Sequence, residues 1–236
     1  SSAEACEPLF FSRSGLTFGF LAFSDRTGQY NNYQPYLDAG ENKPGFANLT
    51  AFELERQLSG IRADADLVIV EMHSGAEYST EPGLSAPPAG GDEDYSAAAR
   101  APLDADREIR RLALDAGADL VICHHPHITQ GFEVYRGKLI AHSLGNFAFD
   151  LSYSETFPSV ILRAEIGGQG ISGYTVTPVY IDDYIPMRAQ GELGLHVLDD
   201  LAMKSRELGT TLVVDRAAVT GTILLDSLSL VPHRVS

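Results

Sequence analysis

Two segments of the chain follow one design, and together they restrict the fold more than any other feature. "ADADLVIVEMHSG" (residues 63–75) and "AGADLVICHHPH" (residues 116–127) each set Ala-x-Ala-Asp before an unbroken apolar run, and each run ends in histidine. An apolar run without alternation is the pattern of a strand covered on both faces, as in a parallel sheet. Between the two runs the spacing predicts a helix from about Leu103 to Ala116, with Ile109, Leu112 and Ala113 on its inner face and Gly117 past its end. Two βα units then aim their histidines the same way, toward the strand ends where open α/β sheets collect ligands.

The other segments fit around this pair. Leu16 to Phe23, "LTFGFLAF", reads as a buried strand running into the Gly-, Asn-, Pro- and Tyr-rich loop that follows Asp25. Leu49, Phe52, Leu54 and Leu58 recur at helical spacing, with Asn48 as N-cap and Gly60 as stop. Residues 80 to 102 are too rich in Pro, Gly and Ala for a core and read as a surface excursion. The second half turns antiparallel: one hairpin about Arg136-Gly137-Lys138, another about Gly167 to Gly170, a helix from about Leu195 to Leu208, and short strands near Thr211 to Val214 and Val219 to Leu225. The expected division is a domain over 1–190 and a helix-and-strand extension over 191–236 packed on it.

Composition narrows the partners. With 17 Lys+Arg against 32 Asp+Glu the formal charge is −15 in 236 residues, which argues against nucleic acid and anionic membrane surfaces. No apolar run approaches the roughly 20 residues of a membrane span. The chain opens on Ser1, so the expectation is a processed product or a fragment. Cys6 and Cys123 could form one disulfide or stay reduced.

Seven histidines raise the question of chemistry. A lone imidazole is most often a hydrogen-bonded loop residue, and His142, His196 and His233 are read that way. Three histidines within four residues, plus His73 on a neighbouring strand, point instead to a metal. Pro126 disfavours the helical region at His125, which predicts an extended segment in which His125 and His127 share a face and His124 points away. His73, His125 and His127 are therefore the expected ligands, with His124 either supporting a ligand from behind or contacting substrate, there as an acid. Imidazole suits a divalent transition ion such as manganese, zinc or iron. Glu77, four residues after His73, is a weak candidate for the carboxylate between the ions of a two-metal clamp, and is otherwise placed on the substrate side. In "HSLGNFAFD" (142–150), Gly145 supplies turn freedom, while Ser143 and Asn146 are expected at the mouth of the site as hydrogen-bond donors. Ser143 has no general base at a readable spacing, which excludes a nucleophilic triad.

Taken in order, "EACEP", "GLTFGFLAFSD", "DLVIVEMHSGAEY", "DAGADLVICHHPHITQGFEVYRGKLIAHSLGNFAFD" and "TVTPVYIDD" resemble the bacterial capsule-synthesis CapA family, the poly-γ-glutamate biosynthesis proteins of the calcineurin-like metallophosphoesterase superfamily. The resemblance covers roughly the first 190 residues. It implies an α/β fold, a sandwich of two mixed sheets flanked by helices. It also implies that His73, in a His-x-Gly-x-Glu-Tyr motif, and His125 and His127, in the place of Gly-His-x-His, face a metal centre. Two positions depart from the pattern: Ser74 stands where the family has tryptophan, and Cys123 where it has glycine, as a buried strand residue or a soft extra ligand. The family's opening strand ending in Gly-Asp and its Asn-His-x-x-Asp segment, which supply the remaining ligands and the bridging carboxylate, have no counterpart here.

The expectation is thus a metallophosphoesterase-like domain without its N-terminal strands, its metal site incomplete within this chain. A missing N-terminal half, a partner subunit or an oligomer would cover the gap. Three functions follow as expectations: a capsule or poly-γ-glutamate synthesis and export protein at the cell surface or outside the cell, acting on an anionic polymer; a metal-dependent phosphoesterase with catalytic His124 and Asn146; and a self-assembling extracellular structural protein.

Overall fold

The structure is a computed structural model that describes residues 1–25, 37–79 and 105–225. Most of the loop after Asp25, the excursion at 80 to 102 and His233 lie outside the described residues. Strands β1 (Leu9–Arg13), β2 (Leu16–Ser24), β3 (Leu67–His73), β4 (Leu120–His124), β5 (Phe132–Tyr135) and β6 (Lys138–Ala141) form one sheet in the order β1-β2-β3-β4-β6-β5. Its centre, β2 through β4 and β6, is parallel, and the edge strands β1 and β5 are antiparallel. The second sheet comprises β7 (Pro158–Gly167), β8 (Gly170–Asp182), β9 (Ile185–Arg188), β10 (Leu212–Asp215) and β11 (Thr220–Ile223), in the order β10-β11-β8-β7 with β9 also on β8. Among its described strands every pairing is antiparallel, so only the first sheet is mixed. Tight reversals between β7 and β8 and between β8 and β9 impose this direction.

Helices α2 (Ala51–Ile61) and α3 (Ala105–Asp115) lie on the outer face of the first sheet, after a single-turn α1 (Ser2–Ala5). Leu54, Leu58 and Ile61 of α2 pack there against Val68, Val70 and Met72 of β3 and Val121 and Cys123 of β4. The inner face meets the second sheet through Phe18, Leu67, Ile69, Leu120 and Leu139 against Val160, Tyr174 and Val176. Helix α4 (Gly191–Glu207) adds Val197, Leu198 and Leu201 to this second core, and β10 and β11 add Leu212 and Ile223. The segment expected as an extension therefore shares a core with β5 and β8.

Several local expectations change. Helix α2 is capped by Thr50, whose hydroxyl accepts from Glu53 N–H at 3.2 Å, not by Asn48, and Gly60 lies inside it. Leu49 is buried ahead of the helix, and Phe52 faces solvent at 75% exposure. On α3 the buried residues are Arg110, Ala113 and Leu114, with Ile109 and Leu112 only partly covered. The β5–β6 hairpin turns at Arg136 (φ +52°) and Gly137 (φ +76°), the double positive φ of a type I′ turn. Strands β1 and β9 escaped the sequence reading.

On β2, β3 and β4 the inner face of the first sheet is covered along only half its length, whereas Leu139 and Ala141 of β6 are fully buried. In β2, Leu21 and Phe23 are buried under the helices, whereas Ala22, facing the other way, is exposed. Beside it in register stands half-buried Glu71, and His124 at the end of β4 is exposed. Parallel sheets are normally covered on both faces. The uncovered half is the one that carries the histidines.

A candidate histidine site at the strand ends

Register brings the first two imidazoles together. His73 and His124 end adjacent parallel strands as direct partners, and their Nδ1 atoms stand 2.8 Å apart. One nitrogen of such a pair carries the proton and the other accepts it. His124 therefore does not point away from the site; it is bonded to His73. Desolvation lowers the His124 pKa below the ordinary imidazole value, with the Glu71 charge opposing. A neutral imidazole near pH 7 is a poor standing acid, so of the roles expected of His124 this geometry favours support of His73 over the acid.

The backbone beyond His124 is not extended. His125 has φ +112° and His127 φ +62°, both in the region that side chains other than glycine rarely occupy. Pro126 thus sits between two left-handed residues rather than inside a strand, and the expected i, i+2 geometry does not hold. The bend itself carries the rings inward: His125 lies 4.6 Å from His73 and 6.1 Å from His127, centroid to centroid. Non-glycine residues held at positive φ cost on the order of 1–3 kcal/mol each and cluster at functional sites.

His127 is the most elaborately held ring. Asn146 Oδ1 accepts from His127 Nδ1 at 2.8 Å, which leaves Nε2 as the lone-pair nitrogen. Glu77 Oε1 stands 3.7 Å from that Nε2. Tyr78 and Phe149 flank the ring at 5.7 and 5.0 Å, and Tyr153 meets Tyr78 edge-on. This aromatic rim was not expected, although Tyr78, "FAFD" and Tyr153 carry it in the sequence.

Ser143 does not line the opening. It is 1% exposed, and its hydroxyl accepts from Gly145 N–H at 3.3 Å. Gly145 is at φ +79°, and a Cβ there would meet Pro158 O at 3.0 Å, so both conformation and space require glycine. Cys6 and Cys123 are both buried and free, and burial pushes each thiol up to about 11. Cys123 lies with the helix-side core, on the opposite face of β4 from His124, and is a strand residue rather than a ligand.

The imidazoles gather without completing a metal centre. Among the described residues no three histidine, cysteine or carboxylate side chains are grouped so as to hold an ion. Nδ1 of His73 faces His124, Nδ1 of His127 faces Asn146, and Glu77 is the carboxylate shown beside them. The described side chains alone do not fit a complete metal site.

Fold and site together define a two-sheet α/β domain with an imidazole cluster at the carboxyl ends of its central parallel strands. The sequence profile described as "Bacterial capsule synthesis protein PGA_cap" matches residues 1–86 and 96–151, more than half of the chain, and the chain belongs to that family. It is 30% identical over 173 residues to the PGA biosynthesis protein CapA of Bacillus subtilis (strain 168), an alignment covering 73% of this chain and 39% of that protein. Against the capsule biosynthesis protein CapA of Bacillus anthracis it is 29% identical over 152 residues, 63% of this chain and 32% of the relative. The chain thus matches well under half the length of these relatives. Among solved structures, a putative 5'-nucleotidase from Staphylococcus aureus in complex with alpha-ketoglutarate aligns at TM-score 0.35 and 15% identity, over 78% of this chain and 28% of that one. A hypothetical protein from Thermus thermophilus aligns at TM-score 0.35 and 16% identity, over 76% and 58%.

Proposed function

We propose that this chain is the histidine-bearing part of a protein that handles an anionic polymer in capsule or poly-γ-glutamate synthesis and export, at the cell surface or outside the cell. The observation that carries the reading is the gathering of His73, His124, His125 and His127 at one end of the sheet, in a member of the capsule-synthesis family. In this reading His73, His125 and His127 are nitrogen donors that would close on a divalent transition ion, manganese, zinc or iron, only once donors from outside this chain join them, because the described side chains do not group around an ion by themselves. The remaining donors come from polypeptide outside this chain, either the N-terminal half of a longer protein or a partner subunit. Two features support that division: the uncovered inner face at Ala22, Glu71 and His124, and the span of the relatives beyond the matched stretch.

The test is complementation of a polymer-forming bacterium that lacks its own copy of the family protein. The full-length protein with His125→Ala and His127→Ala is expected to lower released polymer on the order of tenfold or more at unchanged protein level. Polymer output equal to that of the unmodified protein would overturn the reading.

The orientation of His127 by Asn146 favours a second reading, a metal-dependent phosphoesterase in which His124 and Asn146 touch the substrate. Purified full-length protein with added manganese and a chromogenic phosphodiester decides it: turnover lost in Asn146→Ala supports it, and absence of turnover removes it.

A further inference from the structure

Behind the imidazoles lies a second polar group, fully buried, that the proposed function leaves unused. Arg110 of α3 has no exposed surface. Its NH1 stands 2.8 Å from His142 Nδ1, and its NH2 donates to Ser74 O and Oγ at 3.3 and 3.2 Å. A guanidinium can only donate, so His142 Nδ1 must accept, and the ring proton sits on Nε2. That Nε2–H donates to Glu133 Oε2 at 2.9 Å. Glu133, 2% exposed, is also gripped by Arg107 at 3.0 and 3.1 Å and by Arg111. The ring is thus held in one tautomer and one orientation, with its acceptor nitrogen turned to Arg110.

The two ends of this chain of contacts fall on the two loops of the candidate site. Ser74 follows His73 and precedes Glu77. His142 opens the turn that delivers Asn146 to His127. Gly75, at φ +102°, completes the fit: a Cβ there would lie 3.0 Å from Arg110 NH2. Burying an arginine costs several kcal/mol unless its donors are met; Arg110 Nε already has no hydrogen-bond partner, so losing the contacts to either loop is strongly disfavoured.

We propose that Arg110, oriented by His142, is a positioning residue that clamps the 73–77 loop to the 142–146 loop and so fixes His73 relative to His127. The inference rests on the proposed function only in taking those imidazoles as the working groups.

Amide hydrogen exchange on the full chain tests it, because a local clamp and general stability move different amides. In Arg110→Lys, which cannot reach both loops, the amides of Ser74, Gly75 and Tyr78 are expected to exchange about tenfold faster, with those of β7 and β8 unchanged. In His142→Asn, whose amide oxygen keeps an acceptor near the Nδ1 position, they are expected to stay within about threefold of the unmodified chain. A uniform rise across both sheets, or no local change in Arg110→Lys, would overturn the clamp. If Arg110→Lys does not fold, Ser74→Ala takes its place, with a rise of about threefold expected at Gly75 and Tyr78 and none there overturning it. Local loosening alongside polymer output that ignores His125 and His127 would uphold the clamp and sink the proposed function. The reverse pattern would do the opposite.

Discussion

The two faces of the first sheet are made by alternate residues of the same strands, yet they are finished differently. On the helix side Val68, Val70, Met72, Val121 and Cys123 are all fully buried, from the first residues of the strands to the last. On the other side burial is complete at Leu67, Ile69 and Leu120, then gives way to exposed Ala22, half-buried Glu71 and exposed His124. The helices cover β2, β3 and β4 from end to end; on the inner face of these strands the second sheet stops halfway. One face is a core and the other is half core and half open platform, with the imidazoles on the platform.

The largest break of this contrast is expected on the finished face. Leu58→Ala removes a side chain with no exposure from between α2 and the sheet, and should cost about 2–5 kcal/mol in a urea melt. A loss below about 1 kcal/mol would mean that this core is loosely packed and that the difference between the faces is overstated.

The buried Arg110 group lies where the strand ends meet α3, and acid probes it. Burial, ahead of every other influence, pushes His142 down from 6.5 to about 4. Glu133 is lowered from 4.5 to about 2, where its bonds to His142, Arg107 and Arg111 outweigh its own burial. In both cases the unfolded chain takes up protons before the folded one, so stability is intact above the unfolded value and is lost as pH falls. His142 acts between pH 6.5 and 4, and Glu133 between 4.5 and 2. The His142 step alone amounts to about 3 kcal/mol by pH 4, with His124, also lowered, acting in the same direction. Urea midpoints at about pH 7, 5.5 and 4.5 should fall steadily in the unmodified chain and much less in His142→Asn. Equal slopes would show that His142 is not the buried neutral base described.

The finished face was the legible one. The runs at Leu67 and Leu120 declare two-sided burial by lacking alternation, and Arg136-Gly137 declares its turn by residue type. Strand β1 was missed because all five of its residues are exposed, so no burial rhythm marks it; Ser14-Gly15, both at positive φ, was its only signal. The N-cap of α2 was misplaced because Leu49 is buried just ahead of the helix and imitates its phase. The histidines were legible as residues but not as an arrangement. Nothing in "CHHPH" announces positive φ at His125 and His127, and the His73–His124 bond depends on a register that sequence does not encode locally. Arg110 and Glu133 were hidden because a charge in an amphipathic helix or an alternating strand ordinarily faces water. Only a partner from a distant element makes its burial tolerable.

The smallest expected effect is the sharpest statement about the open platform. Ala22 and Leu21 are chain neighbours on the same central strand, but Leu21→Ala should cost about 2–5 kcal/mol while Ala22→Ser should stay within about 0.5 kcal/mol. A hydroxyl in the middle of a parallel sheet is tolerated only where water can reach it, because an unpaired buried hydroxyl costs about 1–3 kcal/mol. Measured on this chain alone, a large loss in Ala22→Ser would mean that the platform is already covered. Measured again in the full-length protein, the same substitution reports whether further polypeptide lies on that face: a cost that appears only there places a neighbour over Ala22, within reach of the strand ends that carry His73 and His124.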